Sequence, residues 1–530
     1  MGQKKGFDYI IVQAGGKGTR LKYLTKNRPK ALVPVENLPM LFHLFRKYPD
    51  KRFVVIADYH REVLREYLAA FADVKVQVVE ASGSGTCGGV AQAAALIPEH
   101  EPFMLVWSDL ILPEGFRLPP EYEGDGVVEG SPGESDAMQD YVGISSTFPC
   151  RWKYEYGGFE EERSTEHGVA GFFLFHDKSV IADVPESGEL VRWMRDRGMK
   201  FGEVSLAGTR EFGLIEEYEK LAQIKTRPFN RITIEGDILT KEPVDAQGES
   251  LAVRESAWYE KARNLSITGI PKIFETKPLK MEVIRGRNIY ECDFPVEEKR
   301  RILEQLVDTL KSLHTSDSIP ADSFSVREAY FNKTMQRLSK IEDLVPYARE
   351  RKIRVNGRDC RNVFYHHREL EKALEKLTCE RFSFIHGDCT FSNLMVRDNG
   401  EPVFIDPRGY FGFTRLYGDE RYDWAKLYYS IVGNYDRFNL KKFSLDIGGH
   451  SIVDGETIGD LGQGEVRLKI ESNGWESLEK DFFELTGADP WEIRLLHAVI
   501  WLSLTTYAWQ DYDSVCGSFY NGLYYLEEVL

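Results

Sequence analysis

The sequence predicts two fold classes in one chain: an α/β first part built on a mainly parallel sheet, then a two-lobed α+β part. Three observations carry this expectation. Residues 8–112 alternate apolar runs of strand length with amphipathic runs of helix length, the order that lays helices on both faces of a parallel sheet. From Asn230 the alternation gives way to a hairpin pattern turned by Gly236-Asp237, a two-residue connection. Farther on, two short apolar runs, one ending in His386-Gly387-Asp388 and the other in Ile405-Asp406, stand among helical patterns. A length of 530 residues exceeds what one core serves. The expected boundaries are 1–225 and 226–530, the second part divided into a small lobe, 226–290, and a large lobe, 291–530.

Taken in order, Asp8–Ala14, Arg52–Asp58, Val74–Glu80 and Phe103–Trp107 are apolar and read as strands. Between them Pro39–Tyr48, Glu62–Phe71 and Thr86–Ile97 place apolar residues at helical spacing. Glu121–Asp140 is acidic and Gly-rich and reads as a loop. Gly168–Phe175 reads as a further strand and Glu189–Arg197 as a helix. In the second part Asn230–Glu235 and Ile238–Glu242 form the hairpin, Ser250–Ala262 is helical, and Lys280–Gly286 reads as a further strand. Helical patterns follow at 296–315, 325–350, Glu369–Leu377 and Ile493–Leu530, whereas Thr457–Glu479 has no assignable period.

Ligands of open parallel sheets sit at the carboxyl ends of the strands, and two polar stretches fall there. The first is Gln13-Ala14-Gly15-Gly16-Lys17-Gly18-Thr19-Arg20-Leu21, followed by Pro29-Lys30. Its glycines let backbone N–H groups approach a triphosphate, while Arg20 and Lys30 neutralise charge that builds as pyrophosphate leaves. The second is Asp109, a strand-tip carboxylate suited to Mg²⁺ or, equally, to a turn. Together they resemble the signature of nucleotidyltransferases that make nucleotide sugars and nucleotide-activated alcohols, usually Leu-x-Ala-Gly-x-Gly-x-Arg-Leu followed by Pro-Lys. The resemblance covers roughly residues 8–220 and implies a Rossmann-like nucleotidyltransferase domain. It implies Asp109 and Glu211 as Mg²⁺ ligands, Gly85 and Thr86 near base and ribose, and Lys153 on the acceptor phosphate. Gln13 stands where that family often has Leu, and Glu211 where Asp is more frequent.

In the second part Asp388 is followed by Asn393, and the next apolar run delivers Asp406. Phosphoryl transfer needs these groups: a carboxylate to orient the attacking hydroxyl and accept its proton, then an amide oxygen and a second carboxylate for Mg²⁺. The spacing resembles the catalytic loop and metal aspartate of the aminoglycoside phosphotransferase and choline kinase family, distant relatives of protein kinases, over roughly residues 226–430. The resemblance implies that Lys241 holds the ATP phosphates and pairs with Glu255, and that Glu282 lies on the strand contacting adenine. No Gly-rich loop precedes Lys241; Thr226–Asn230 stands there. Asp419 and Asp423, in a Gly-Asp and Tyr-Asp-x-Ala-Lys segment, are expected to brace the loop. Near the end Trp501, Tyr507, Trp509, Asp511 and Asp513 fall close together. Aromatic faces beside carboxylates fit an ammonium alcohol, and helical spacing fits a core equally well.

Lys plus Arg total 68 against 84 Asp plus Glu, a net charge of −16, which argues against nucleic-acid and anionic-membrane partners. Seven cysteines without a Cys-x-x-Cys pair read as reduced thiols. No signal-peptide core or membrane span is evident, so a cytoplasmic protein is expected. The combined expectation is a bifunctional Mg²⁺-dependent enzyme. One half phosphorylates a choline-like or polyol-like alcohol with ATP, and the other couples the product to a second triphosphate, CTP favoured, for glycan precursor synthesis. The alternatives are a sugar 1-kinase fused to a UTP- or GTP-dependent sugar-1-phosphate nucleotidyltransferase, and a non-catalytic scaffold.

Overall fold

The computed structural model describes residues 6–123, 138–215, 218–219, 230–244 and 246–530. Most of the loop expected at 121–140, the boundary segment 221–227, and Thr226–Phe229 ahead of Lys241 lie outside the described residues. The chain forms two compact units. Unit 1 comprises Met1–Lys225, Ser451–Glu456 and Gln510–Tyr512; unit 2 comprises Thr226–His450, Thr457–Trp509 and Asp513–Leu530. The first unit thus takes in two short segments that a single cut at residue 225 assigns elsewhere. No helix among the described residues is long and apolar enough to cross a membrane.

In unit 1 the four expected runs are the strands Tyr9–Gln13, Arg52–Ala57, Lys75–Glu80 and Phe103–Trp107. Tyr9–Gln13 pairs in parallel with Arg52–Ala57 on one side and with Phe103–Trp107 on the other. Lys75–Glu80 continues beyond Arg52–Ala57, and Gly168–Phe175 adds antiparallel to Phe103–Trp107, within a sheet of nine described strands. The strand order therefore reverses beside Tyr9–Gln13, a switch point where the crossovers leave a crevice. The Gly-rich stretch and Asp109 both emerge at that crevice. Ile11, Val54, Leu105, Phe173 and Val90 form the core beneath it. The third helix spans only Val90–Ala95, shorter than its apolar pattern. Gly89, at φ 78°, sets its start, and a side chain there would run into Ile56.

Unit 2 opens with a four-stranded sheet in the order Asn230–Glu235, Ile238–Pro243, Leu279–Glu282, Ile273–Thr276, followed in chain order after its second strand by helix Ala246–Asn264. The larger part holds helix Val296–Ser316 and the strands Arg381–Phe384, Leu394–Arg397 and Pro402–Phe404. Its core joins Trp258, Leu306, Leu310, Phe384, Phe404 and Trp424. Two helical expectations change. The run 325–350 holds helix Ser323–Arg327, a π turn Glu328–Asn332 and helix Lys333–Ser339, then ends. The C-terminal run is divided into Pro490–Leu504 and Tyr512–Leu526. A four-stranded sheet that the sequence did not announce links Arg358–Arg361, Lys352–Val355, Glu465–Ile470 and Phe443–Ile447. The unassigned stretch 457–479 supplies one of its strands.

Candidate active sites

The first site is built at the reversed end of the parallel sheet. Ala14 N–H donates to Ile56 O at 3.0 Å, which carries the strand pairing into the loop. A Cβ on Gly15 would sit 2.8 Å from that of Asp58, so the loop passes where only glycine fits. Gly18, at φ 61°, opens the turn Thr19–Thr25. Gly16, Lys17, Thr19 and Arg20 are exposed. Lys30 is buried and forms an ion pair with Asp109 Oδ2, while Asp109 Oδ1 is buried with no hydrogen-bond partner. Strand Arg210–Glu211 pairs antiparallel with Leu110–Ile111, and Phe212 N–H donates to Asp109 O at 3.3 Å. A side chain on Gly213 would run into the Glu211 carboxylate and approach within 3.2 Å of Arg20 Nη2. Lys30, Asp109, Glu211 and Arg20 thus gather at one end of the sheet.

Buried acceptors do not stay unsatisfied without cause, and Asp109 Oδ1 fits a divalent cation. Mg²⁺ takes one or two protein carboxylates and completes its shell with phosphate and water. Among the described residues there is no cluster of three or more His, Cys, Asp or Glu placed to bind a metal.

Other expected ligands of this unit are engaged within the protein. Thr86 Oγ1 accepts the Leu190 N–H at 2.7 Å and Thr86 O accepts from Gln13 Nε2. Gly85, at φ 76°, lies against the Gly188 carbonyl, so this segment is fastened to residues 188–190. Gln13, half-buried at the strand end, keeps a buried Oε1 without a hydrogen-bond partner. Lys153 faces Glu160 at 3.0 Å and Glu162 at 2.7 Å, which raise its pKa and neutralise it in this conformation.

The second site lies in unit 2. Lys241 Nζ reaches Glu255 Oε2 at 2.8 Å and Asp406 Oδ1 at 2.9 Å. Burial works against the Lys241 charge, and Asp406 and Glu255 outweigh it, holding its pKa above the usual value. Burial pushes the Glu255 carboxyl up in turn, against the pull of Lys241. Asp388 follows strand Arg381–Phe384 on a loop whose N–H groups are fixed from below. Asp423 accepts His386 N–H at 2.9 Å, Gly387 N–H at 2.7 Å and pairs with His314 Nε2 at 3.0 Å. Asp419 instead caps helix Glu420–Ile431 and pairs with Arg421, bracing the helix start and not the loop.

Asn393 Nδ2 donates to Asp388 O at 3.0 Å and to Asp388 Oδ2 at 3.1 Å. The Asn393 amide oxygen and the Asp406 carboxylate, already paired with Lys241, are the oxygen groups that could hold a nucleotide-bound Mg²⁺. Lys426 Nζ lies 3.0 Å from Asp388 Oδ1. Burial opposes the Asp388 charge, but Lys426 and then Arg408 outweigh it and hold its pKa below the usual carboxylate range. A carboxylate ionised at neutral pH can accept a hydroxyl proton. Sequence reasoning gave neither cation a role, although Lys426 ends the Tyr-Asp-x-Ala-Lys run and Arg408 stands two residues past Asp406.

Five expected residues lie elsewhere. Glu282 pairs with Arg397 and accepts the Lys272 N–H at 2.9 Å, so its carboxylate is engaged. Asp511 is buried in an ion pair with Arg28, and both belong to unit 1. Trp501 is fully buried, its Nε1–H donating to His497 Nε2 at 2.9 Å, and it packs on Tyr429 and Phe438 as core. Trp509 is half-buried in the link between the last two helices, and Asp513 stands in the first turn of the second.

Residues 9–117 match the nucleotidyl transferase family and residues 258–437 the phosphotransferase enzyme family. A UTP–glucose-1-phosphate uridylyltransferase, AglF, of Haloferax volcanii is 33% identical over 107 residues, 19% of this chain and 43% of that protein. A D-glycero-alpha-D-manno-heptose 1-phosphate guanylyltransferase of Campylobacter jejuni is 30% identical over 100 residues, 18% and 45% of the two chains. The chain thus spans under half the length of these curated relatives. Among solved structures, HddC from Yersinia pseudotuberculosis aligns at 17% identity and a TM-score of 0.33, over 40% of this chain and 97% of its own. One polypeptide therefore joins a nucleotidyl transferase family segment, residues 9–117, to a phosphotransferase enzyme family segment, residues 258–437.

Proposed function

We propose that unit 2 transfers the γ-phosphoryl group of ATP to a hydroxyl of a small alcohol or sugar. Unit 1 then joins the phosphorylated product to a second nucleoside triphosphate and releases pyrophosphate. The observation that carries this reading is the Lys241–Glu255–Asp406 ion-pair network. A strand, the helix that follows it and a residue 165 positions beyond Lys241 supply it, and a solvated surface would not hold one ammonium between two carboxylates. In unit 2 Asp388 orients the acceptor hydroxyl and takes its proton, while Lys241 holds the nucleotide phosphates. Asn393 and Asp406 would hold Mg²⁺, which supplies charge neutralisation on those phosphates. In unit 1 the acceptor phosphate attacks the α-phosphorus. Arg20 and Lys30 stabilise the charge on the departing pyrophosphate, and Asp109 with Glu211 would hold the metal.

For the second triphosphate, the pairing with a choline-kinase-like segment favours CTP and a choline-like or polyol-like alcohol. The uridylyl and guanylyl names of the sequence relatives, both on sugar 1-phosphates, favour UTP or GTP and a sugar. Pyrophosphate release, measured with CTP, UTP and GTP over a pool of phosphorylated sugars and alcohols, decides between them. Fastest release with CTP and phosphocholine supports the first reading, and fastest release with UTP or GTP and a sugar 1-phosphate supports the second. No release with any combination sinks the nucleotidyl-transfer half. The product on either reading is an activated precursor for surface polysaccharide or a similar glycan, made in the cytoplasm.

A further inference from the structure

We propose that the acceptor of unit 2 carries an anionic group, a carboxylate or a phosphate monoester, which Lys333 and Arg337 hold beside the Asp388 loop. This rests on the kinase reading of that unit. Five basic side chains gather there. Lys333 Nζ and the Arg408 and Arg254 guanidinium carbons lie 5.5, 4.5 and 4.9 Å from the centroid of one ring, Tyr410. Arg337 donates to the Ser503 carbonyl and hydroxyl and lies 5.9 Å from the Tyr507 ring. Lys426 completes the group on Asp388 itself.

One carboxylate, Asp388, answers these five basic groups in an ion pair. Among the described residues Arg254, Lys333, Arg337 and Arg408 make none, and Lys333 makes no hydrogen bond either; Glu328, one π turn earlier, is the acidic group whose field reaches it. Burial, then Arg408, Arg337 and Lys426, push the Lys333 pKa down to about 6. Burial and Arg408 lower that of Arg337. Near neutral pH Lys333 therefore gives up its proton beside its cationic neighbours, and an anion bound beside it restores the charge. The π turn Glu328–Asn332 directly precedes Lys333, and such turns recur at functional sites.

The counter-charge belongs to the acceptor for a positional reason. Lys241 and Glu255, which serve the nucleotide phosphates, sit on the small-lobe strand and helix. Lys333 and Arg337 stand on helix Lys333–Ser339, packed on helix Pro490–Leu504. Tyr410, Tyr422 and Tyr507 already face the protein's own cations, so a quaternary ammonium beside them, Tyr507 of the expected run included, would meet repulsion. In the reaction the acceptor oxygen bonds to the γ-phosphorus as the bond to the β–γ bridging oxygen breaks. ADP leaves, and the hydroxyl proton passes to Asp388.

The test uses the full chain, ATP with Mg²⁺, and four acceptors of one skeleton: glucose, glucosamine, glucuronate and glucose 6-phosphate. Product masses and ADP release should give kcat/KM for glucuronate or glucose 6-phosphate at least about tenfold above the other two. Whichever leads distinguishes carboxylate from phosphate. Lys333→Met with Arg337→Met should raise KM for the anionic acceptor by about tenfold or more without a matching rise for ATP, and Lys333→Arg should retain most of the affinity. Preference for glucose or glucosamine, equal rates with all four, or a rise in KM for ATP in step with the acceptor overturns the proposal. If none is turned over, calorimetric titration decides. Binding of glucuronate or glucose 6-phosphate that the double variant loses upholds the site, and its absence overturns it. The kinase reading fails separately, if ATP turnover is the same in Asp388→Asn as in the wild type.

Discussion

Asp423 has no exposed surface and three hydrogen-bond donors aimed at it, the His386 and Gly387 N–H groups and His314 Nε2. Its carboxylate therefore holds the Asp388 loop in place. Asp423→Asn keeps the volume and replaces one acceptor oxygen with a donor that faces an N–H group. The expected loss is about 1–3 kcal/mol in denaturant unfolding. ATP turnover should fall on the order of tenfold to a hundredfold as Asp388 is misplaced. Unchanged turnover would remove the bracing role. Asp436 behaves differently: it accepts the Ser392 N–H at 2.8 Å, its Oδ2 is buried without a partner, and burial raises its pKa to about 6. A raised acid binds its proton more tightly folded than unfolded. Its contribution is thus full below the unfolded value of 3.8 and is lost as pH rises through about 6. At pH 7.5 Asp436→Asn should be more stable than the wild type by up to about 3 kcal/mol. The gap should close below about pH 4, which unfolding curves at the two pH values would detect.

At the scale of elements, Gly89 shows how one backbone angle sets a helix start. Gly89→Ala imposes a left-handed φ on a Cβ that meets Ile56. It should cost about 2–4 kcal/mol, read as a lower melting temperature; a variant as stable as the wild type would show that the turn relaxes freely. The apolar pattern of Thr86–Ile97 carries no trace of this, because periodicity reports which face is buried and not where a positive φ interrupts the chain. Strands buried on both faces were the most legible: Phe103–Trp107 and Gly168–Phe175 run as their apolar stretches do. The hairpin Lys352–Val355 to Arg358–Arg361 turns on Asn356-Gly357, both at positive φ, a local signal that the helical pattern of the preceding residues masked. Its partner Glu465–Ile470 joins it by pairing across about a hundred residues, which no local window contains, and Phe443–Ile447 pairs in turn with Glu465–Ile470. The sites divide in the same way. Lys30 with Asp109, and Lys241 with Glu255 and Asp406, stand at motif spacings, whereas Lys333 and Arg337 are cations on a helix, with no pattern to mark them until the fold gathers them.

At the scale of the molecule, the chain returns to unit 1 with Ser451–Glu456 and Gln510–Tyr512, so the two units are interleaved in sequence. The proposed chemistries are complementary: a nucleotidyltransferase requires a phosphorylated acceptor, and a small-molecule kinase makes one. If the two reactions run in series, each half can be silenced by itself. Asp388→Asn removes the charge that accepts the hydroxyl proton and that Lys426 neutralises at 3.0 Å, and it should abolish nucleotide-linked product from the free acceptor. The same variant supplied with the phosphorylated acceptor should form product at the wild-type rate, because nothing in the Lys30–Asp109 site depends on Asp388. Asp109→Ala should do the reverse. It removes both the Lys30 partner and the carboxylate whose Oδ1 is otherwise unsatisfied. The phosphorylated acceptor should then accumulate, with pyrophosphate release reduced by about a hundredfold or more. Mass spectrometry of products from each variant, with and without added intermediate, separates the cases. Failure of the intermediate to rescue a folded Asp388→Asn protein would mean that the two halves serve different substrates. Rescue by one phosphorylated compound and no other would identify the shared intermediate directly.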